Sequence, residues 1–495
     1  MKKMLKATAT ASSITVSNIF TALVRSKFTA VVLGTSGVGL FSQAFNLLNF
    51  SITVASLGIG RGVTKYVSTF SAQDKEEKTS YTISFAVMTQ LAATVALAVL
   101  MIVFSGFVSR YLFLSESYSR LVLFLAVSIP LIVLSGTFEA VLVGFGHYKN
   151  FTYGRVAAAL ISLVPLFGFI YFMGFRGTFP YLLASSLIAF GIGYYLIYRK
   201  VPREVFASIF DFRNLIKRYD KGLSRMILSY GATSFITGGL GLFCVVFLRT
   251  ILINYFGPEA NGLYQVVFAM SANYLTLFTN GIWAYFFPKV SSLSAGPDKQ
   301  EYMNELNNAL RFCLVGVIPF AVCLYILRDV VIRVVFSVKF LPAADLFSTQ
   351  LAGDMFYLIF YLLCASLLAR EKLKMYLGIG LVYNACLVVV FLCAAGHMGL
   401  RAITFSYMVS NMAAALILVF YHSRVLGVKI SHDNLKLAVK GALVLGAVFF
   451  TGDFGILGAL LKTVFTAVCI YFILTEHERG KVFGYIRSKL SYGRR

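Results

Sequence analysis

Gly34-Thr35-Ser36-Gly37-Val38-Gly39-Leu40-Phe41 and Gly257-Pro258-Glu259-Ala260-Asn261-Gly262-Leu263-Tyr264 are two copies of one pattern, Gly-x4-Gly-Leu-aromatic, 223 residues apart. Each lies between two long apolar stretches, so each reads as the turn of a helical hairpin, with glycine where the chain must reverse. Other pairs fall near the same offset: Val67-Ser68 with Val290-Ser291, Lys149 with Lys372, and Gly174-x2-Gly177 with Gly396-x2-Gly399 at 222. A period this long means a duplicated half-transporter and not a solenoid.

The chain around these turns is 495 residues long, 59% hydrophobic and 13% charged, about half the charge of a soluble domain. About fourteen stretches carry the roughly 20 apolar residues needed to cross a hydrocarbon core. They run from Ala9–Leu33 and Val38–Gly60 to Leu437–Thr451 and Phe454–Leu474. The expected fold is an all-α integral membrane protein of 14 transmembrane helices: two pseudo-symmetric six-helix lobes in parallel orientation plus a C-terminal helix pair. Residues 1–198 form the N-terminal lobe, 199–225 a cytoplasmic linker, 226–424 the C-terminal lobe, and 425–495 helices thirteen and fourteen with a basic tail.

A net charge of +24 would suggest a polyanion partner in a soluble chain. Here the cations cluster at both termini and in the even-numbered connections. That pattern places both termini in the cytoplasm and argues against nucleic acid. Lys2, Lys3 and Lys6 precede the first apolar run with the small residues ahead of it, the mark of an uncleaved first helix. The linker mixes cations with Phe206, Ile209, Phe210, Phe212, Leu215, Ile216 and Tyr219. It reads either as a helix on the membrane surface or as a plain connection. No Cys-x-x-Cys pair and no metal-ligand spacing among the five histidines is present, so no metal, disulfide or cofactor is expected. Short connections leave no room for a catalytic domain.

Polar residues on a spanning helix avoid lipid, so their spacing marks the face turned to protein or water. Ser17, Thr21 and Arg25 share one face of the first helix at steps of four; Ser42, Asn46, Asn49 and Thr53 share one on the second. Asn273, Thr276 and Asn280 do so on the eighth, and Ser234, Gly238 and Arg249 on the seventh. Packing through small residues is the plain alternative for such stripes. Arg25, Lys27 and Arg249 weigh against it, since each intramembrane cation costs roughly 2.5 to 3.5 kcal/mol unless a wet cavity or an anion relieves it. Lys27 and Arg249 have snorkelling as a rival explanation. Glu139 and Asp354 read as sites for a coupling ion, H+ or Na+, or as partners of a buried cation. Cations beside Asn, Ser and Thr suit an anionic, sugar-bearing substrate.

Arg328-Asp329-x2-Ile332-x4-Ser337-x-Lys339-Phe340-x4-Asp345-Leu346-Phe347-x2-Gln350-Leu351-x-Gly353-Asp354 resembles the O-antigen and enterobacterial common antigen translocases, the Wzx-like flippases. Gly62-Val63-Thr64-Lys65-Tyr66-Val67 and Tyr285-x2-Pro288-x2-Ser291-x-Leu293 do so more weakly. The resemblance implies a two-lobed transporter of the multidrug/oligosaccharidyl-lipid/polysaccharide exporter superfamily. Its implied activity is to carry undecaprenyl-pyrophosphate-linked glycan across the bacterial inner membrane, among membrane lipids, a polysaccharide polymerase and chain-length machinery. It also implies a cation two turns before the first glycine turn, which matches Lys27 better than Arg25. Residues 425–495 depart from the pattern. A multidrug or toxin exporter of the same superfamily and a membrane polysaccharide polymerase or ligase are the alternatives. The cationic seam weighs against the first, and the short outer loops against the second.

Overall fold

A computed structural model describes residues 2–211, 220–294 and 299–450, with the backbone alone for residues 2–18, 230, 233–234, 236–237 and 450. The helices are α1 (Lys2–Ser56), α2 (Gly60–Ser71), α3 (Glu76–Val103), α4 (Ser105–Phe113), α5 (Ser119–Gly144), α6 (Tyr148–Ile161), α7 (Leu163–Met173), α8 (Thr178–Lys200) and α9 (Arg203–Ser208). They continue as α10 (Lys221–Gly281), a π turn (Ile282–Phe286), α11 (Phe287–Ser294), α12 (Lys299–Ile326), α13 (Arg328–Val335), α14 (Phe347–Ala369), α15 (Leu373–Met398), α16 (Arg401–Arg424) and α17 (His432–Phe450). No strand occurs among the described residues. Backbone groups in hydrocarbon must be paired within their own segment, and helices do this. Nine described segments are long and apolar enough to cross a membrane, so this is a multi-pass membrane protein. The expected fourteenth helix, Phe454–Leu474, and the basic tail lie outside the described residues.

α1 and α10 each break once, at Gly34 (φ 66°, ψ −170°) and Gly257 (φ 82°, ψ 170°). These are the first glycines of the two repeated turns, in a backbone region that side chains disfavour. The second glycines serve close approach. A Cβ on Gly39 would lie 1.9 Å from the Pro258 carbonyl oxygen, and one on Gly262 2.0 Å from that of Thr35. Thr35 and Pro258 are repeat partners, so the two turns contact each other reciprocally.

The repeat register drifts further on. α5 and α14 end in the same turn, with Gly146 and His147 N–H donating to Val143 and Leu142 carbonyls, and Glu371 and Lys372 N–H to Leu368 and Leu367. Gly174 (φ 56°, ψ −136°) and Gly399 (φ 57°, ψ −137°) also match. Both pairs stand 225 residues apart. The structural counterpart of Lys149 is therefore Lys374, not Lys372, and that of Gly174 is Gly399, not Gly396. The second copy holds two more residues than the first before this point, and the spacing of Gly396-x2-Gly399 concealed them.

The chain packs into two compact units: Met1–Gln265 with Val335–Lys339, and the described residues of Val266–Val334 and Phe340–Arg495. This division falls inside α10 and not at the linker. The reason lies in unit 1, where α10 before Gly257 runs antiparallel to α1 after Gly34. Gln43 Nε2 donates to Thr250 Oγ1 at 2.9 Å, Phe50 meets Phe243 at 5.9 Å, and a Cβ on Gly231 would stand 2.4 Å from the Leu57 carbonyl oxygen. The first part of the linker, which reads either as a surface helix or as a plain connection, is partly described. Val205 and Ile209 are buried in a unit 1 cluster with Val63, Val67 and Phe138, and Ser84 Oγ donates to the Ser208 carbonyl at 2.6 Å. The apolar side chains there face protein, although Phe210 is exposed; Phe212, Leu215, Ile216 and Tyr219 lie outside the described residues.

Candidate functional site

In unit 1 the stripe on α1 meets the one on α10. Arg249, expected on an open seam, is only 2% exposed. Its Nη1 donates to Gln265 Oε1 (2.7 Å), Ser42 Oγ (3.2 Å) and Asn261 Oδ1 (3.4 Å), and its guanidinium sits 5.0 Å from the Tyr264 ring centre. Asn261 Nδ2 in turn donates to the Gly39 carbonyl at 2.7 Å. Neutral acceptors from both repeated turns thus solvate a buried cation. Thr35 Oγ1 donates to Glu259 Oε1 at 3.0 Å beside it. In this conformation Arg249 joins the two turns through these contacts.

The other predicted residues divide. Arg25 is half-buried, with its guanidinium 4.9 Å from the Phe45 ring centre. Thr21 and Lys27 are half-buried, and the Ser17 and Ser234 side chains lie outside the described residues. Asn49 is exposed, and Thr53 Oγ1 donates back to its carbonyl at 2.9 Å while its methyl faces Gly238. Asn46 Nδ2 is buried with no hydrogen-bond partner among the described residues. In unit 2, Asn273 and Thr276 are half-buried and Asn280 is exposed.

Asp354 is the most distinctive group of unit 2. It is wholly buried and ringed by neutral donors. Ser271 Oγ lies 2.6 Å from both carboxylate oxygens, Tyr274 Oη 2.6 Å from Oδ2, Tyr407 Oη 3.1 Å and Gln350 Nε2 3.5 Å from Oδ1. The expected basic partner is absent among the described residues. Sequence reading missed the hydroxyl ring because its members come from α10, α14 and α16. Only Gln350, one turn before Asp354 on α14, was visible as a neighbour. In the first copy the counterparts of Ser271, Gln350, Asp354 and Tyr407 are Leu48, Leu125, Ile129 and Leu182, all buried in one apolar cluster. The counterpart of Tyr274 is the buried Ser51, whose Oγ meets Met101 Sδ at 3.7 Å, so the first copy has no carboxylate nest at these positions. Glu139 differs, since Arg155 Nε approaches its Oε1 at 3.7 Å and both side chains are partly exposed. Of the two readings of Glu139, coupling site or partner of a cation, this contact is compatible with the second.

A protein-family model described as "Polysaccharide biosynthesis protein" matches residues 6–292, more than half of the chain. The chain belongs to that family. The Lipid III flippase of Escherichia coli (strain K12) is 24% identical over 373 residues, 75% of this chain and 86% of that protein. Among solved structures, the Lipid II flippase MurJ in its inward closed conformation superposes with a TM-score of 0.68 at 15% identity, covering 95% of this chain and 99% of that one. An inward-facing multidrug resistance MATE family transporter of the MOP superfamily gives 0.68 at 14% identity, covering 88% and 95%. The fold is that of these transporters, and the resemblance to Wzx-like flippases holds. The family match spans the reciprocal turns and all four polar stripes, while Asp354 lies beyond it.

The Glu139–Arg155 pair is partly solvated and long, so its removal has little effect. Glu139→Gln is expected to change stability by less than about 1 kcal/mol and to leave surface polysaccharide at the parental level. A thermal melt and a polysaccharide gel check both.

Proposed function

We propose that the protein is a flippase moving undecaprenyl-pyrophosphate-linked oligosaccharide repeat units from the cytoplasmic to the periplasmic leaflet of the bacterial inner membrane, for surface polysaccharide synthesis. The observation that carries this is the match along 86% of the Lipid III flippase. The relatives named above are flippases and transporters, not enzymes. Arg25 and Lys27 supply the cations for the pyrophosphate, and the Asn46 donor and the Asn49, Thr53, Asn273, Thr276 and Asn280 side chains offer hydrogen bonds to sugar hydroxyls. The two lobes of the sequence repeat alternate access, and the product passes to a polymerase and its chain-length machinery.

Of the fourteen crossings proposed, with both termini inside, the described residues account for twelve. Ile19–Ser56, Tyr148–Lys200 and Gly238–Ser294 are 38, 53 and 57 residues long and broken at Gly34, Gly174 and Gly257. At about 20 residues per crossing each accommodates two. Asp354 is the coupling site for H+ or Na+. A buried carboxylate with hydroxyl donors and no counter-cation binds such an ion at the least cost. The adjoining Gln350 Oε1, buried and without a hydrogen-bond partner among the described residues, offers a further oxygen.

A deletion strain tests the transport reading. Complete repeat units should accumulate on the carrier lipid in the inner leaflet while surface polymer disappears; intact polymer with new sensitivity to cationic drugs would favour an exporter. Complementation with Arg25→Ala should leave at most about a tenth of parental polymer at normal membrane abundance, as expected when one charge-assisted contact to a phosphate is lost. Full polymer would remove Arg25 from the site.

A further inference from the structure

Trp283 is the sole tryptophan of the chain and sits in the π turn, a distortion that often marks functional positions. Asn273, Thr276, Asn280, Trp283 and Phe287 follow one another at steps of three, four, three and four. On an ideal helix the first four, which precede or open the π turn, fall within about 80° of one another. Asn280 is exposed on this face, and amides of a spanning helix do not face hydrocarbon. The indole, 43% exposed, therefore shares the watered face and not the lipid face.

Its orientation is fixed from two sides. Nε1 donates to Tyr361 Oη at 2.5 Å, and the ring lies 4.7 Å from that of Phe287. Tyr361 packs on Tyr357 at 5.5 Å, Tyr357 on Tyr407 at 6.4 Å, and Tyr407 donates to Asp354. None of this is needed to form a hairpin, because the first copy has Gly60 where the second has Trp283.

We infer that Trp283, held by Tyr361 and flanked by Asn280, is a stacking platform for a pyranose ring of the lipid-linked saccharide. A sugar ring presents an apolar C–H face that the indole covers and an edge of hydroxyls that the Asn280 and Asn273 amides engage. The inference rests on the flippase reading and assigns it a sugar contact separate from the cations. A tryptophan belonging to the interfacial aromatic belt is the rival. Tyr285, 67% exposed two residues on, serves as the control.

The native chain is its own reporter, because all indole emission comes from Trp283. Full-length protein in lipid-detergent bicelles, which hold no other protein, is titrated with an undecaprenyl-pyrophosphate-linked N-acetylhexosamine and, separately, with undecaprenyl pyrophosphate, while radiolabelled lipid measures binding directly. The expected result is binding of both lipids, with a saturable emission change for the sugar-bearing one alone. Trp283→Leu should weaken only the sugar-bearing lipid, by about tenfold, with Trp283→Phe in between and Tyr285→Leu unchanged. Equal emission changes with both lipids, no emission change despite binding, unaltered affinity in Trp283→Leu, or an equal loss in Tyr285→Leu would each overturn the platform and leave the flippase reading standing. Failure of both lipids to bind would overturn the two together.

Discussion

Asp354→Asn will abolish transport driven by an ion gradient while the protein remains folded and inserted. The amide has the carboxylate's shape, and the Ser271, Tyr274 and Tyr407 hydroxyls can each rotate to accept as well as donate. The nest therefore stays paired, and the stability cost is that of exchanging charge-assisted for neutral hydrogen bonds, about 1 to 2 kcal/mol. What disappears is the negative charge proposed to bind the ion. Asp354→Ala would be a poorer test, since four donors would lose their acceptor at about 1 to 3 kcal/mol for each group left unsatisfied. Extra volume is also excluded, because a Cβ on Gly353 would already lie 2.6 Å from the Tyr407 ring. In proteoliposomes under an imposed pH or sodium gradient, the parent should accumulate lipid-linked oligosaccharide in one leaflet and Asp354→Asn should only equilibrate it. Gradient-driven accumulation by the asparagine variant would dismiss Asp354 as the coupling group.

Gly262→Ala and Gly39→Ala are expected to pry the reciprocal turns apart. Each new Cβ would stand 2.0 or 1.9 Å from a backbone carbonyl oxygen, and backbone cannot rotate away as a side chain can. Relief requires the turns to separate by more than an ångström, which stretches the Asn261–Gly39 hydrogen bond and the Arg249 contacts to Ser42 and Asn261. Overpacking of this kind costs about 1 to 3 kcal/mol, with the strained hydrogen bonds added to it. A melting point several degrees lower and faster maleimide labelling of Ser36→Cys in the paired variant would record this. Gly241→Ala is the control, since nothing lies within 4 Å of its added methyl and alanine favours a helix by about 0.5 to 1 kcal/mol. Equal melting points in all three variants would refute the close contact.

The parts of the fold legible in the sequence were those written in local spacing. Gly34 and Gly257 were readable as turns because left-handed backbone selects glycine within a few residues of where it is needed. The stripes were readable because a helix repeats every 3.6 residues. Register at Lys372 and Gly396 was not legible, since two inserted residues leave no local mark when the closing turn can be made with Gly146 in one copy and Glu371 in the other. The candidate site was half visible. The cost of an intramembrane charge marks Arg249 and Asp354 as needing company, but its identity, from the Gln265 amide to the Tyr274 hydroxyl, depends on packing between segments remote in sequence. The linker stayed open between two readings because residues such as Val205 and Ile209 bury equally well against lipid or protein.

The contact between the turns has a consequence for the symmetry of the two copies. Gly39 meets the carbonyl of Pro258 and Gly262 that of Thr35, so each copy offers the other the same surface about a local two-fold axis. That is the signature of an isologous interface, the kind by which identical subunits pair. A single copy bearing one such turn holds everything required to make this contact with a second copy of itself. Inside, the two halves differ: the first is lined with leucines where the second holds a carboxylate among tyrosines.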